Sequence, residues 1–547
     1  MRRRKSEIRN ANSEFPLLLI LLLAAFLRLT QLDLVEFKYD EAHTLTVAAQ
    51  VAGGALPRVS GEMSWGVERP ALSLYLYAIP TAIGRRPALS VAFSGLLGLL
   101  AVAGTYRLAA EFFDRATALA AALLYAVNPW CILYERKVWA HPLPALNVLI
   151  LYCSYRLVVK RRPWAALPLL LALGLQGQTH VLAWLCLPFA FLLFILYRRR
   201  WQTAPTLVGA GAWALVTLPY ATYLWERRAQ VWSRLNERVL GQPARVDMAA
   251  WRHMLHLAAG SRLQELLSSE GALRFVPYRL WLTWDAHLMA LLLLGGLAYA
   301  VWGCLRAQGE RDRYALLLLW LAVPLLLFTR HSIEVQRQYL TLLIPGLFIL
   351  AALPLGWLLR WRGGVRSFGA GEGSASGLLS YMPPALGLAL LAFIAFVQGS
   401  GILAFYGYVD RYGAQGGFGV PLRYWQRAAD AAKAVAAAQG LSEIEVVTEG
   451  VDPVYEERPT LLAYLLRPEL DPRFLRGQES PALLLPWERE LLYLTTVEEP
   501  NILGALRRWG RQEAPVIVPG GPTLRAVSYT HLRAHETRHD LVCRLLP

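Results

Sequence analysis

The stretch FPLLLILLLAAFLRLTQL, residues 15–32, runs directly into DLVEFKYDEAH, residues 33–43. Its first part is apolar over nearly the length a helix needs to cross a bilayer. At a rise of about 1.5 Å per residue, a hydrocarbon core about 30 Å thick takes roughly 20 residues. The second part sets Lys38, Asp40, Glu41 and His43 at the point of exit. An apolar span that delivers charged groups to its own rim is the pattern the rest of the chain repeats.

Further apolar runs occupy 88–109, 116–134, 142–159, 164–178, 181–197, 204–225, 288–305, 314–329, 339–359 and 382–405. With the first, they predict about eleven crossings, and so an all-α polytopic membrane protein. Composition agrees: 56% of the 547 residues are hydrophobic and 17% charged, where soluble proteins carry roughly 25% charge. That balance excludes a cytosolic enzyme, a disordered tail protein and a small secreted module. Cys131, Cys153, Cys186 and Cys304 lie inside apolar runs as small hydrophobes, with no disulfide framework or Cys-based metal site. The charged opening 1–10 and the uninterrupted run behind it read as a retained first span rather than a cleaved signal peptide.

The formal charge of +16 is mostly arginine, and its placement gives orientation. Arg2, Arg3, Arg4 and Lys5, then Lys160–Arg162, Arg198–Arg200, Arg306/Arg311/Arg313 and Arg360/Arg362/Arg366 fall in alternate loops. All land on one side, which the positive-inside rule makes cytoplasmic. The expected division is a transmembrane domain over 1–405, with outer loops at 33–87 and 226–287, and an extracytoplasmic α/β domain over 406–526. Residues 77–83 and 251–267 have the mixed periodicity of interfacial helices, and 363–377 is a Gly/Ser-rich linker. The outer domain is read from an Ala-rich amphipathic helix at 421–440 and strands at 444–447, 482–485, 491–495 and 516–518.

Residues 527–547, VSYTHLRAHETRHDLVCRLLP, resemble translated read-through of a sequencing adapter. Within them His535-Glu536-Thr537-Arg538-His539 spells H-E-x-x-H, the zinc-protease pattern. The adapter reading sets that motif aside and implies that the outer domain's own C-terminus is missing.

Ionisable groups at span ends are the default functional candidates. Asp40-Glu41-Ala42-His43 spells the helicase D-E-A-H box, yet no G-x-x-x-x-G-K-[ST] loop exists to hold a nucleotide, so no nucleic-acid partner is expected. Taken alone the segment reads as a solvated loop capping the next helix. Three more clusters share its side: Glu68-Arg69-Pro70; Tyr134-Glu135-Arg136-Lys137 with His141; and Arg330-His331 with Glu334, Arg337 and Tyr339. Each singly is worth little as a surface ion pair. Together they hold the groups needed to deprotonate a hydroxyl and to grip a phosphate leaving group.

The chain resembles the membrane-embedded GT-C glycosyltransferases of family 39, which include protein O-mannosyltransferase-like enzymes and transferases of aminoarabinose to lipid A. The residues that carry the likeness are Asp40-Glu41 after the first span, Glu68-Arg69-Pro70 before the second, Asn128-Pro129-Trp130 with Tyr134 and Arg136, and Arg337-Gln338-Tyr339-Leu340 leading to Pro345. The resemblance implies a polyprenyl-phosphate sugar as donor and inverting transfer to an acceptor hydroxyl on a protein, lipid or glycan. It implies Asp40 as general base with Glu41 beside it, Glu68 as a metal- or phosphate-proximal acid, and Arg69, Arg337 and Tyr339 at the donor phosphate. Where such enzymes often carry a second acid this chain has His141, which leaves His141 to orient acceptor or donor, Glu135 to supply the missing carboxylate, and Arg136 as a further substrate contact. A divalent metal on Glu68, with His253 or His256, stays open. The competing reading is a transporter or flippase of a lipid-linked substrate, against which stand charge-free midspans and no internal repeat. A sensor built on the outer domain is a third.

Overall fold

The computed structural model describes residues 2–63, 66–275, 279–306, 309–361, 375–414, 416–477 and 491–496, with pieces at 500, 504, 511–512, 515–517 and 524–529. Side chains at 2–13, 279–283, 375–381, 491, 511–512 and 527–529 are not among them. The chain forms two compact units. One comprises Met1–Leu32, Gln50–Leu263 and Val276–Ala404, the other Asp33–Ala49, Gln264–Phe275 and Phe405–Pro547.

The first unit is helical. Among the described residues, Pro87–Phe112, Thr203–Glu226, Trp284–Arg306, Arg311–Thr329 and Met382–Tyr412 are each long and apolar enough to cross a membrane. The last of these runs on into the second unit. Two bent pairs are apolar enough when each is taken together: Arg115–Val127 with Pro129–Glu135, at 64°, and Arg337–Leu343 with Gly346–Arg360, at 62°. Both breaks fall beside a proline, which removes a backbone donor and pushes the residue before it out of helical geometry. The expected first crossing lies in helix Arg2–Leu29.

Three of the eleven expected crossings are the shorter apolar helices Pro144–Val158, Pro163–Gly177 and Val181–Leu196. Fifteen residues of helix reach only about 22 Å, short of a hydrocarbon core about 30 Å thick. Leu72–Ile83 and Ala249–Ala259 supply the two helices expected outside the spans.

Three segments predicted to lie on or beside the arginine-rich side meet at residues 111–114. Arg360 pairs with Asp114 at 2.6 Å, Arg313 donates to the Phe112 carbonyl at 2.8 Å, and Tyr155 donates to the Glu111 carbonyl at 2.6 Å. Elsewhere in this unit, β1 (Val59–Glu62) and β2 (Glu68–Pro70) form an antiparallel hairpin. Strands β3 (Arg245–Val246) and β4 (Arg330–His331) pair as a two-residue ribbon.

The second unit carries a five-stranded sheet in the order β6-β5-β7-β9-β8, with β5 at Glu443–Thr448, β6 at Asp471–Arg476, β7 at Leu491–Thr495, β8 at Arg511–Gln512 and β9 at Arg525–Tyr529. β5 runs parallel to both β6 and β7, and β9 antiparallel to β7 and β8. Helix Leu422–Gln439 buries Leu422, Trp425, Ala428, Ala429, Ala432 and Ala436, a stripe at helical spacing whose small residues allow close packing. It ends at Gly440, whose φ of +68° is the left-handed cap that glycine adopts without strain. The expected helix and the strands at 444–447 and 491–495 are present, while 516–518 contributes only the bridge Val516↔Leu524. Strand β6 and helix Glu457–Leu466 went unread in the sequence. The expected strand at 482–485, the linker at 363–374 and the H-E-x-x-H tail lie outside the described residues. β9 takes in Val527, Ser528 and Tyr529, the first residues of the segment read as extraneous.

Candidate active site

The β1–β2 hairpin faces Arg234, on helix Arg228–Leu235. Its guanidinium lies 3.2 Å from the Glu62 carboxylate and 3.9 Å from that of Glu68, and donates to the Gly66 carbonyl at 2.9 Å. Gly66 has φ of +80°, and a Cβ there would sit 3.1 Å from Arg234, so both backbone and space call for glycine. Tyr220 donates to the Glu68 carbonyl at 2.8 Å, and the Tyr223 hydroxyl bonds the Glu68 carboxylate. Glu68 is thus held by an arginine and a phenol. Arg69, its neighbour on β2, points to the opposite face of the strand.

Just past the hairpin, the Leu72 N–H donates to the Gln178 carbonyl at 3.2 Å. His180 follows, its Nδ1 accepting the Leu182 N–H at 3.1 Å, and its ring lies 6.4 Å from that of Tyr339. Tyr339 also stacks with Phe328 at 6.3 Å. Tyr339, Phe328 and Leu182 line a cavity of about 440 Å³. One wall is apolar (Leu182, Leu185, Leu240, Leu327, Phe328); the other carries Arg330, His331, Glu334 and Tyr339. The β3–β4 ribbon closes one side, reinforced by His331 Nε2 at 3.2 Å from Asp247. The Asp247 carboxyl is held below its ordinary range, first by the Ala249 N–H and then by His331. Arg337, buried, stacks its guanidinium 4.0 Å over the Trp130 ring, whose Nε1 donates to the Ser261 carbonyl at 2.7 Å.

The third cluster is built into the interior. Glu135 is 3% exposed and pairs at 2.7 Å with Arg28, itself 0% exposed, and also accepts from the Tyr125 hydroxyl. Arg28 completes its fork on the Ala126 carbonyl at 2.7 Å and that of Tyr125 at 3.3 Å. Arg136 donates to the carbonyls of Leu27 and Gln31, the open C-terminal end of the first helix, where a cation is favoured. His141 is buried and stacked on Trp139 at 4.9 Å. Burial pushes its imidazole down to about 4, with Lys137 adding to the effect, against a bond to the Trp139 carbonyl. It is neutral at physiological pH.

Asp40 and Glu41 belong to the second unit, in the first turn of helix Tyr39–Ala52. Glu41, 1% exposed, reaches back to accept the Lys38 N–H at 2.9 Å, the acidic half of a capping box. Asp40 is half-buried one residue earlier, its direction set by that turn. Among the described residues no group of three or more His, Cys, Asp or Glu is placed to hold a metal ion. His256, one of the candidates to join Glu68, has its Nδ1 3.1 Å from the Ser261 hydroxyl.

Residues 68–223 match the profile of the dolichyl-phosphate-mannose-protein mannosyltransferase family. Two crystal structures of ArnT from Cupriavidus metallidurans superpose over 94% of this chain and 98% of theirs with a TM-score of 0.51. One is bound to undecaprenyl phosphate at 14% identity, and the other is apo at 15%. The chain thus shares the fold of these ArnT structures, and its residues 68–223 resemble the mannosyltransferase family. The Archaeoglobus fulgidus oligosaccharyltransferase overlaps more loosely, at a TM-score of 0.46 and 13% identity over 84% of this chain and 64% of its own. No curated protein matches the sequence.

The first unit thus holds Glu68 in the hairpin, against Arg234, and Tyr339 in the cavity lining. The chain commits Glu135 to Arg28 and Glu41 to a helix cap. Sequence reasoning passed over Arg234, Tyr220, Tyr223 and His180, which lie in plain apolar or basic context. It also passed over Asp285 and Gln398, both 0% exposed and bonded at 2.9 Å between two spans. Arg28 did carry a signal, as a lone charge inside an apolar run.

Proposed function

We propose that the chain transfers a sugar from a polyprenyl-phosphate donor to an acceptor hydroxyl on the outer face of the membrane, with inversion and with Asp40 as the general base. The observation that carries this reading is the cavity beside Tyr339. Its greasy wall suits a prenyl tail, and its Arg330, His331 and Tyr339 wall suits the phosphate that ends it. Of the structures that match over 94% of this chain, one is bound to undecaprenyl phosphate.

In the proposed step the Asp40 carboxylate takes the acceptor proton as the hydroxyl oxygen attacks the anomeric carbon. The bond from that carbon to the phosphate oxygen breaks on the opposite side, and polyprenyl phosphate departs with its charge. Arginine suits that leaving group through its planar, bidentate donors, a role for Arg69 and Arg337. Glu68 then acts through Arg234, and neutral His141 as an uncharged hydrogen-bonding group. The alternating arginine loops support a cytoplasmic N-terminus and an extracytoplasmic second unit.

Asp40→Asn keeps the shape and removes the base. With polyprenyl-phosphate mannose and a serine/threonine-rich peptide, its release of polyprenyl phosphate should fall about 10²- to 10⁴-fold. Undiminished turnover would remove Asp40 from this role.

A further inference from the structure

The residues before Asp40 have no regular structure of their own. Asp33 to Lys38 form an irregular link between helix Arg2–Leu29 and the helix that starts at Tyr39. The link is nevertheless tied down by hydrogen bonds and ion pairs to the far end of the chain. Arg423 forks onto Asp33, Nε to Oδ2 at 2.7 Å and Nη2 to Oδ1 at 3.0 Å, while its Nη1 holds Asp410 at 2.6 Å. The Arg423 N–H donates to the Asp33 carbonyl at 2.8 Å and the Leu422 N–H to that of Val35 at 3.1 Å; Glu36 bridges to Pro421. The Lys38 ammonium reaches the Gly417 carbonyl. The Tyr39 hydroxyl donates to the Val454 carbonyl at 2.8 Å, in the loop between β5 and the next helix. Leu34, Val35 and Phe37 are buried among these contacts.

From this we infer that the α/β unit is a positioning device for the catalytic aspartate. Arg423 and the Tyr39–Val454 bond hold the 33–39 link so that the first turn of Tyr39–Ala52 presents Asp40 in one fixed direction. The inference rests on the reading of Asp40 as base. A bidentate arginine fork fixes orientation as well as distance, and Arg423 joins the link to the end of the last span helix through Asp410. The Asp33 carboxyl is raised by burial, but the Arg423 bond outweighs this and keeps it below its ordinary range, so the fork stays ionised at neutral pH. A base displaced by about 1 Å costs on the order of 10²-fold in rate while leaving donor binding intact. The domain's contribution is then to kcat and not to KM.

The test uses the full-length protein in nanodiscs with polyprenyl-phosphate mannose. Arg423→Ala is expected to lower kcat about 10- to 100-fold with KM for the donor changed less than about 3-fold. Amide exchange across 33–41 should quicken while that of Pro87–Phe112 stays as in wild type. Arg423→Lys, which keeps the charge without the fork, should recover part of the rate. Should Arg423→Ala fail to accumulate, Tyr39→Phe removes a single hydroxyl and is expected to lower kcat about 3- to 10-fold with the same exchange signature. Wild-type kcat and wild-type exchange at 33–41 in Arg423→Lys and Tyr39→Phe would overturn the inference. So would a loss confined to KM. Asp40→Asn at full turnover would instead remove the base, and the exchange readout would still report whether the unit grips the link.

Discussion

Arg28 and Glu135 are opposite charges buried in the first unit, and their worth lies in each other. Taking either ion out of water costs several kcal/mol, which the 2.7 Å pair and the carbonyls of Tyr125 and Ala126 offset only while both partners are present. Gly98 belongs to the same arrangement: a Cβ there would come within 2.4 Å of the Glu135 carboxylate. Arg28→Leu should therefore destabilise the protein by about 3–5 kcal/mol, and the double variant Arg28→Leu/Glu135→Leu should be clearly more stable than either single. Unfolding midpoints in detergent check this, and single variants within about 1 kcal/mol of wild type would contradict it. At this scale the sequence was legible for residue type and not for partner. Glu135 stands in a charged run, Tyr134-Glu135-Arg136-Lys137, that reads as one cluster at a span end. Its true partner lies on another helix, at a separation in sequence that no local spacing rule reaches.

The bends are where elements set the site. Helix Arg115–Val127 stops before Pro129, and Asn128 restarts it by accepting the Cys131 N–H at 3.1 Å while donating to the carbonyls of Leu257 and Ala258 at 2.9 and 3.0 Å. That seats Trp130 on Ser261 and under Arg337. Asn128→Ala would lose the cap and leave two buried carbonyls with one partner fewer, at a cost of about 2–3 kcal/mol. The same unfolding measurement reads it, and a change below about 0.5 kcal/mol would contradict the role. Asn128-Pro129 announces the break in the sequence, since proline ends a helix. Hydropathy alone ran through it as one continuous span from 116 to 134. The hairpin was harder to see, because β1 and β2 are four and three residues long and their register shifts between Val59 and Glu62. Strand alternation is too short there to announce itself, so Arg234 could not be foreseen as the partner of Glu62 and Glu68.

Over the whole molecule, polytopic helical architecture and the α/β unit were legible because both follow from composition and period. Apolar runs mark helices whatever their depth, and the runs at 142–159, 164–178 and 181–197 correspond to the shorter apolar helices Pro144–Val158, Pro163–Gly177 and Val181–Leu196. Two of the arginine-rich loops meet the loop at 112–114, through Arg360–Asp114 and Arg313–Phe112. Less legible was the allegiance of Asp33–Ala49, which follows the first span in sequence and packs with the residues after Phe405. Contacts such as Asp33–Arg423 join residues almost four hundred positions apart. A membrane transferase and a lipid carrier would share most of these features and differ in one bond, that between sugar and phosphate. Purified protein in sealed vesicles, given polyprenyl-phosphate mannose and a serine/threonine-rich peptide, decides between them. One polyprenyl phosphate released for each glycoside formed, with inverted anomeric configuration by NMR, is the predicted result; movement of the intact lipid across the bilayer with no glycosidic cleavage would contradict it.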